Sequence, residues 1–244
     1  MTITIDHSHP SKSQDERIRF LILHYTASNF EQSLTELTTG GVSSHYLVPT
    51  LKSIDPTYQD DDNKVFCLVE ENMRAWHAGV SSWSNINNIN FSSIGIEIVN
   101  NATDQQFVPY PDQQIENVIE LCKLIIPKYN ILPQYIIGHS DIAIGRKKDP
   151  GPLFPWKKLY DQGIGAWFDQ NTMAQYKSQF DNQMPPVNDL MQKLGQYGYD
   201  LTAAEQDLIT AFQMHFRPSS YDGKIDAETA AIAYALCDKY LGKT

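Results

Sequence analysis

The chain has 244 residues, 41% of them hydrophobic, with 13 glycines and 13 prolines, enough for one sizeable core and a small second unit. Its formal net charge of −10 disfavours nucleic acid or an anionic membrane as the main partner, because both select clustered cations. No apolar run approaches the roughly 20 residues of a membrane span, and the opening MTITIDHSHPSKSQDERIRF shows no recognisable signal peptide.

In chain order, RIRFLILHY (17–25) is a β-rich apolar run ending in polar rings, and NFEQSLTELTT is a short amphipathic helix opened by an Asn cap. SSHYLV, KVFCLVE and SIGIEIVN predict three further strands. Residues 111–129 open with Pro and repeat Ile115, Val118, Ile119, Cys122, Ile125 and Ile126 at three- and four-residue steps, a long helix with one buried face. QYIIGH is another strand ending in His. This alternation predicts an α/β domain over 1–169, with a central mixed β-sheet flanked by helices. Residues 170–186 are polar, end in Met-Pro-Pro and are expected to be a linker. Three amphipathic helices follow, at about 187–197, 202–216 and 226–241, making residues 187–244 a small three-helix domain, marginal alone but viable when packed on a partner.

Cys67, Cys122 and Cys237 are dispersed, without metal-ligand spacing, and are expected to be buried small hydrophobes. Three strand ends or loops carry groups that suit a metal: His24, His139 and Asp149. Imidazole and carboxylate are ligands that zinc takes, and a catalytic zinc keeps three protein ligands and one open position. Taken singly, either His also fits an ordinary strand-end hydrogen-bonding role. Glu97 shares its strand face with Gly95 and Val99, an unusual setting for a solvated carboxylate. In an apolar cleft its pKa would rise toward that of a useful general base or acid. Trp76 and His77, in WHAGVSSW, and His45, in SSHYLV, fit either core packing or a pocket. His7, His9 and His215 are given no chemistry.

Taken together, LILHYTAS, SSHYLVP, WHAGVSSW, SIGIEIVN and IIGHSDIAIGRKKDPGP, in that order, resemble the zinc-dependent N-acetylmuramoyl-L-alanine amidases of the AmpD type, which share a fold with the peptidoglycan-recognition proteins. The resemblance covers about residues 17–167, and the three-helix tail looks like the peptidoglycan-binding domain of longer members. It implies His24, His139 and Asp149 as Zn²⁺ ligands, Glu97 as the catalytic acid–base, and Lys147, rather than Lys148, as the oxyanion-stabilising lysine. Trp76, His77 and His45 become candidates for the substrate groove. One departure is visible: the motif often reads Ala-Pro-Gly-Arg-Lys, and Ile144 stands here in place of Pro.

The implied reaction is hydrolysis of the amide joining N-acetylmuramic acid to L-alanine in peptidoglycan and muropeptides. Two rivals are a non-catalytic peptidoglycan-binding receptor and a zinc endopeptidase, although the chain has no H-E-x-x-H. A periplasmic location follows from the polymeric substrate that the tail suggests; a cytosolic enzyme recycling anhydro-muropeptides is the alternative.

Overall fold

The computed structural model describes residues 2–103 and 105–242. The first strand, β1 (Phe20–Tyr25), is buried throughout. Helix α1 (Phe30–Thr39) starts where the Asn29 side chain accepts the Gln32 N–H at 2.9 Å, an N-cap that satisfies one of the helix's orphan donors. Strands β2 (Tyr46–Val48) and β3 (Phe66–Cys67) follow, then the hairpin β4 (Ser82–Trp83) and β5 (Ile86–Asn87). Ser84 and Asn85 take φ values of 50° and 62° at the hairpin tip, the left-handed pair that a tight two-residue turn requires. Strand β6 (Ser93–Ile98), helix α2 (Asp112–Tyr129), strand β7 (Ile136–Gly138) and the single-turn helix α3 (His139–Ile142) complete the sheet region, and α4 (Trp156–Asp161) lies beyond it.

The main sheet has the order β3-β2-β6-β1-β7. Strands β2, β6, β1 and β7 run parallel, and β3 is antiparallel at one edge. This is the mixed sheet the sequence predicts. On β6, Ile94, Ile96 and Ile98 are fully buried on one face, leaving Gly95 and Glu97 on the other by the two-residue pleat. Buried Gln114 donates from α2 to Val48 O and Val99 O, so the helix is keyed to the ends of β2 and β6.

Residues 170–186 depart from the expected linker. Helix α5 (Gln170–Phe180) occupies most of them, capped by Asp169, whose side chain accepts the Thr172 N–H at 2.8 Å. Its sequence is polar because only Met173 and Phe180 are buried. Tyr176 and Phe180 meet Tyr234 of the last helix, with ring centroids 5.3 and 5.1 Å apart.

The three predicted helices are present as α6 (Val187–Tyr197), α7 (Glu205–Phe216) and α8 (Ala227–Tyr240). They do not form a separate core: their buried residues join one continuous apolar cluster with the sheet. Trp83 of β4, fully buried, meets Tyr199 edge-on at 4.8 Å, and Trp156 of α4 stacks on His215 at 3.9 Å. Cys122 and Cys237 are buried as expected, whereas Cys67 is exposed at the edge strand β3. Among the described residues, no helix is long and apolar enough to cross a membrane.

Candidate active site

Parallel pairing builds the site. The β1–β6 register sets His24 beside Glu97, and the β1–β7 register sets Leu23 beside Gly138, so that His139 emerges next to His24. All three residues therefore gather at the carboxyl ends of parallel strands, where open α/β sheets present ligand sites. Asp149 arrives on the loop after α3, whose position is fixed by Ser140 N–H donating to Asp149 O at 2.8 Å and Tyr110 O–H donating to Pro150 O at 2.8 Å.

His24 Nδ1, His139 Nδ1 and Asp149 Oδ2 lie 3.0 Å from one another. Their outer partners decide what these atoms are. His139 Nε2 faces the Ala78 carbonyl at 3.1 Å and must donate there, so its Nδ1 carries a lone pair. On the other ring the chain of donors is longer. Ser93 O–H donates to Ile89 O at 2.7 Å, so its oxygen accepts from His77 Nε2 at 3.1 Å. His77 Nδ1 is then an acceptor and takes the proton of His24 Nε2 at 2.9 Å. Thus His24 Nδ1 also presents a lone pair.

Two imidazole lone pairs and a carboxylate oxygen at this spacing repel one another unless a cation lies among them. A proton satisfies one of the pairs; a metal ion satisfies all three. Tetrahedral ligands at zinc–N and zinc–O distances sit about 3.3 Å apart, close to what is seen. The donor set, and the fixing of each ring through its far nitrogen, fit a metal centre. Burial, reinforced by His139, lowers the His24 pKa to about 4, which keeps the ring neutral for a ligand. Burial alone would raise Asp149, but the adjoining His139 and His24 hold its carboxyl well below the usual carboxylate range.

Glu97 Oε1 lies 4.0 Å from His24 Nδ1, while Oε2 is buried without a hydrogen-bond partner. Burial, and then the charge of Asp149, push its pKa well above the ordinary carboxylate range. The site opens into a cleft of about 630 Å³ walled by Ser33 and Glu36 of α1, Trp76, His77, Arg146 and Lys147. Lys148 does not line it.

The candidate substrate residues separate. Trp76 is 54% exposed on the cleft wall, with the Arg74 guanidinium 3.6 Å from its ring. His77 is buried, lines the cleft, and spends both ring nitrogens on His24 and Ser93. Its ring lies over Gly95, where a Cβ would come within 2.6 Å; the glycine that flattens the Glu97 strand face makes this room. His45 is not on the cleft: Nδ1 accepts the Gly95 N–H at 3.0 Å and Nε2 donates to Met73 O at 3.2 Å. Both of its ring nitrogens are committed to backbone, unlike the side chains that wall the cleft.

Sequence reasoning missed the supports. Asn90 Oδ1 accepts the N–H groups of His77 and Ala78, and Arg146 donates to Ala78 O and Val80 O. These contacts hold the WHAG loop against His24 and His139. The only available signal was the density of polar residues flanking WHAGVSSW.

Residues 14–152 match the family described as N-acetylmuramoyl-L-alanine amidase. Over 235 residues the chain is 46% identical to the N-acetylmuramoyl-L-alanine amidase AmiD of Escherichia coli K12, covering 92% of this chain and 84% of that protein. AmpDh3 from Pseudomonas aeruginosa, solved in complex with anhydromuramic pentapeptide, superposes with a TM-score of 0.92 at 46% identity, covering 98% of this chain and 99% of that one. Escherichia coli AmiD, solved with the substrate anhydro-N-acetylmuramic acid-L-Ala-D-gamma-Glu-L-Lys, gives 0.88 at 40% identity over 98% of this chain and 96% of that one. The likeness runs through the sheet and the C-terminal helices alike, and the chain belongs to the N-acetylmuramoyl-L-alanine amidase family.

Proposed function

We propose that this enzyme hydrolyses the amide between the lactyl group of N-acetylmuramic acid and L-alanine, with His24, His139 and Asp149 holding Zn²⁺. The observation that carries the reading is the convergence of three lone-pair atoms at 3.0 Å beside a buried carboxylate oxygen that has no partner. Zinc bound there supplies Lewis-acid polarisation of the carbonyl and a water of lowered pKa. Glu97, with its raised proton affinity, takes the proton from the attacking water and delivers it to the departing alanine nitrogen as the C–N bond breaks. The water oxygen ends in the new muramic carboxyl group. Lys147, on the cleft wall, sets its positive charge against the oxyanion of the tetrahedral intermediate.

The complexes of the two relatives support an anhydromuramyl peptide as substrate, and the exposed ring of Trp76 offers an apolar surface on the way in. The C-terminal helices add a surface for the polymer, raising its local concentration at the cleft. A polymeric substrate supports a periplasmic location for the enzyme, which fractionation of cells expressing it would test.

Product analysis on intact sacculi and on soluble anhydro-muropeptides, with and without a chelator, decides the reading. Free stem peptides that disappear on chelation are expected. Shortened crosslinks would make the protein an endopeptidase, and binding without any product would make it a receptor.

A further inference from the structure

Among the buried polar groups that the proposed reaction does not use, one cluster adjoins the site. Asp141, in α3, is fully buried two residues after His139. Its carboxylate accepts three hydrogen bonds: Gly138 N–H to Oδ2 at 2.8 Å, His215 Nδ1–H to Oδ2 at 2.8 Å, and Tyr199 O–H to Oδ1 at 2.7 Å. The first is local and sets the turn from β7 into α3. The other two come from the C-terminal region, His215 of α7 and Tyr199 of the loop between α6 and α7, 74 and 58 residues away in sequence.

A buried carboxylate is tolerated only when its oxygens are satisfied, so Asp141 is at home only with those helices docked. The His215 ring lies between Trp156 at 3.9 Å and Phe216 at 4.0 Å, and its Nε2 has no hydrogen-bond partner. Its hydrogen bonding is therefore spent on Asp141. Helix α3 in turn carries both ends of the ligand loop: His139 begins it, and Ser140 N–H holds Asp149 O at 2.8 Å. Helix α7 touches this loop a second time at Gly145, where a Cβ would come within 2.7 Å of Asp207 Oδ2.

We propose that Asp141, clamped by Tyr199 and His215, is a positioning residue for His139 and Asp149, so that the C-terminal helices form part of the metal-holding scaffold as well as any polymer-binding surface. The inference rests on the metal reading above. Ligands aimed by outer partners typically lose 10–100-fold in metal affinity when those partners are removed.

The test measures zinc affinity of the metal-free full-length protein by competition with a chromophoric chelator. Tyr199→Phe removes one oxygen, and His215→Phe keeps the stacked ring but removes the donor; each is expected to weaken zinc by about tenfold or more. His215→Asn, whose side-chain amide N–H can take the place of Nδ1–H, should recover affinity to within about threefold of the unmodified protein. Leu236→Ala, which hollows the helical core away from Asp141, should lower Tm and leave zinc affinity unchanged. If His215→Phe fails to fold, Tyr199→Phe alone decides. Affinity within twofold of the unmodified protein in the phenylalanine variants, or equal weakening by Leu236→Ala, overturns the clamp while leaving the amidase reading intact. Failure of the unmodified protein to bind zinc removes both.

Discussion

Asp149 is buried and Glu97 partly buried beside the same histidine, yet their surroundings drive them in opposite directions. Asp149 sits among His139 and His24 and stays ionised, whereas burial and the Asp149 charge keep a proton on Glu97 well above the usual carboxylate range. Such a split suits the roles proposed for the two, a metal ligand and an acid–base group. Glu97→Gln is expected to keep the metal and lose on the order of 10²–10⁴ in kcat, read by elemental analysis and steady-state kinetics. For the unmodified enzyme the sign follows from the raised pKa: the active base form disappears as pH falls through that value, so the acid limb of kcat/KM lies above the ordinary carboxylate range. Lys147 pulls Glu97 the other way. Lys147→Ala should therefore move the acid limb to higher pH, besides costing on the order of 10²-fold in kcat as one oxyanion donor is lost. Lys148→Ala, outside the cleft, should stay within about twofold; the reverse ranking would show that the wrong lysine is in the site. These residue types were legible from motif and strand pattern. The place of His77 was not, because it depends on a glycine 18 positions later in the chain leaving room for its ring.

Elements with a strong apolar rhythm were legible: β1, β6 and α2 appear where their patterns predict them. Helix α5 was hidden because a helix lying on the surface of other helices needs few apolar residues, and Met-Pro-Pro beyond it mimics a linker. The polar ties between elements had no local signature at all. One of them fastens the segment before the WHAG loop to β2 and α2: Glu71 accepts from the Tyr46 and Tyr129 hydroxyls at 2.7 Å each, and from Lys128. Burial would raise the Glu71 pKa, but Lys128 and the two hydroxyls outweigh it and lower it. A lowered folded-state pKa gives stability that is present above the unfolded value, about 4.3, and is lost as pH falls through the folded one. Glu71→Gln should cost about 1–2 kcal/mol near pH 7, mostly through the hydroxyl bonds, because Lys128 is largely exposed and its ion pair contributes little. The Tm difference between variant and unmodified protein should then shrink as pH falls below about 4. A difference that stays constant across that range would mean that the carboxylate charge contributes nothing to the fold.

At the scale of the whole molecule, the sequence pattern of two units joined by a linker gives way to one continuous core, and that changes what truncation can reveal. The apolar stripes of α6, α7 and α8 are visible in the sequence; that Trp83, Trp156 and Trp167, all earlier in the chain, pack against this region is not. Trp83 and Trp156 lie against Tyr199 and His215, and Trp167 against Phe216, while Trp167 N–H donates to the Tyr240 hydroxyl oxygen and its carbonyl accepts from Lys239. Cutting after residue 169 would uncover those three side chains. At about 1.5–3 kcal/mol for each large apolar side chain, the loss is about 4.5–9 kcal/mol, comparable with the net stability of about 5–15 kcal/mol typical of a whole domain. Residues 1–169 alone are therefore expected to aggregate or to show a broad, non-cooperative melt by circular dichroism, and to lose hydrolysis of small soluble muropeptides along with digestion of sacculi. A folded truncation that still cleaves the soluble substrate at the full rate, but fails on sacculi, would instead make the C-terminal helices a detachable polymer anchor. In that event the buried ties from Trp83, Trp156 and Asp141 to those helices would be dispensable for both stability and catalysis.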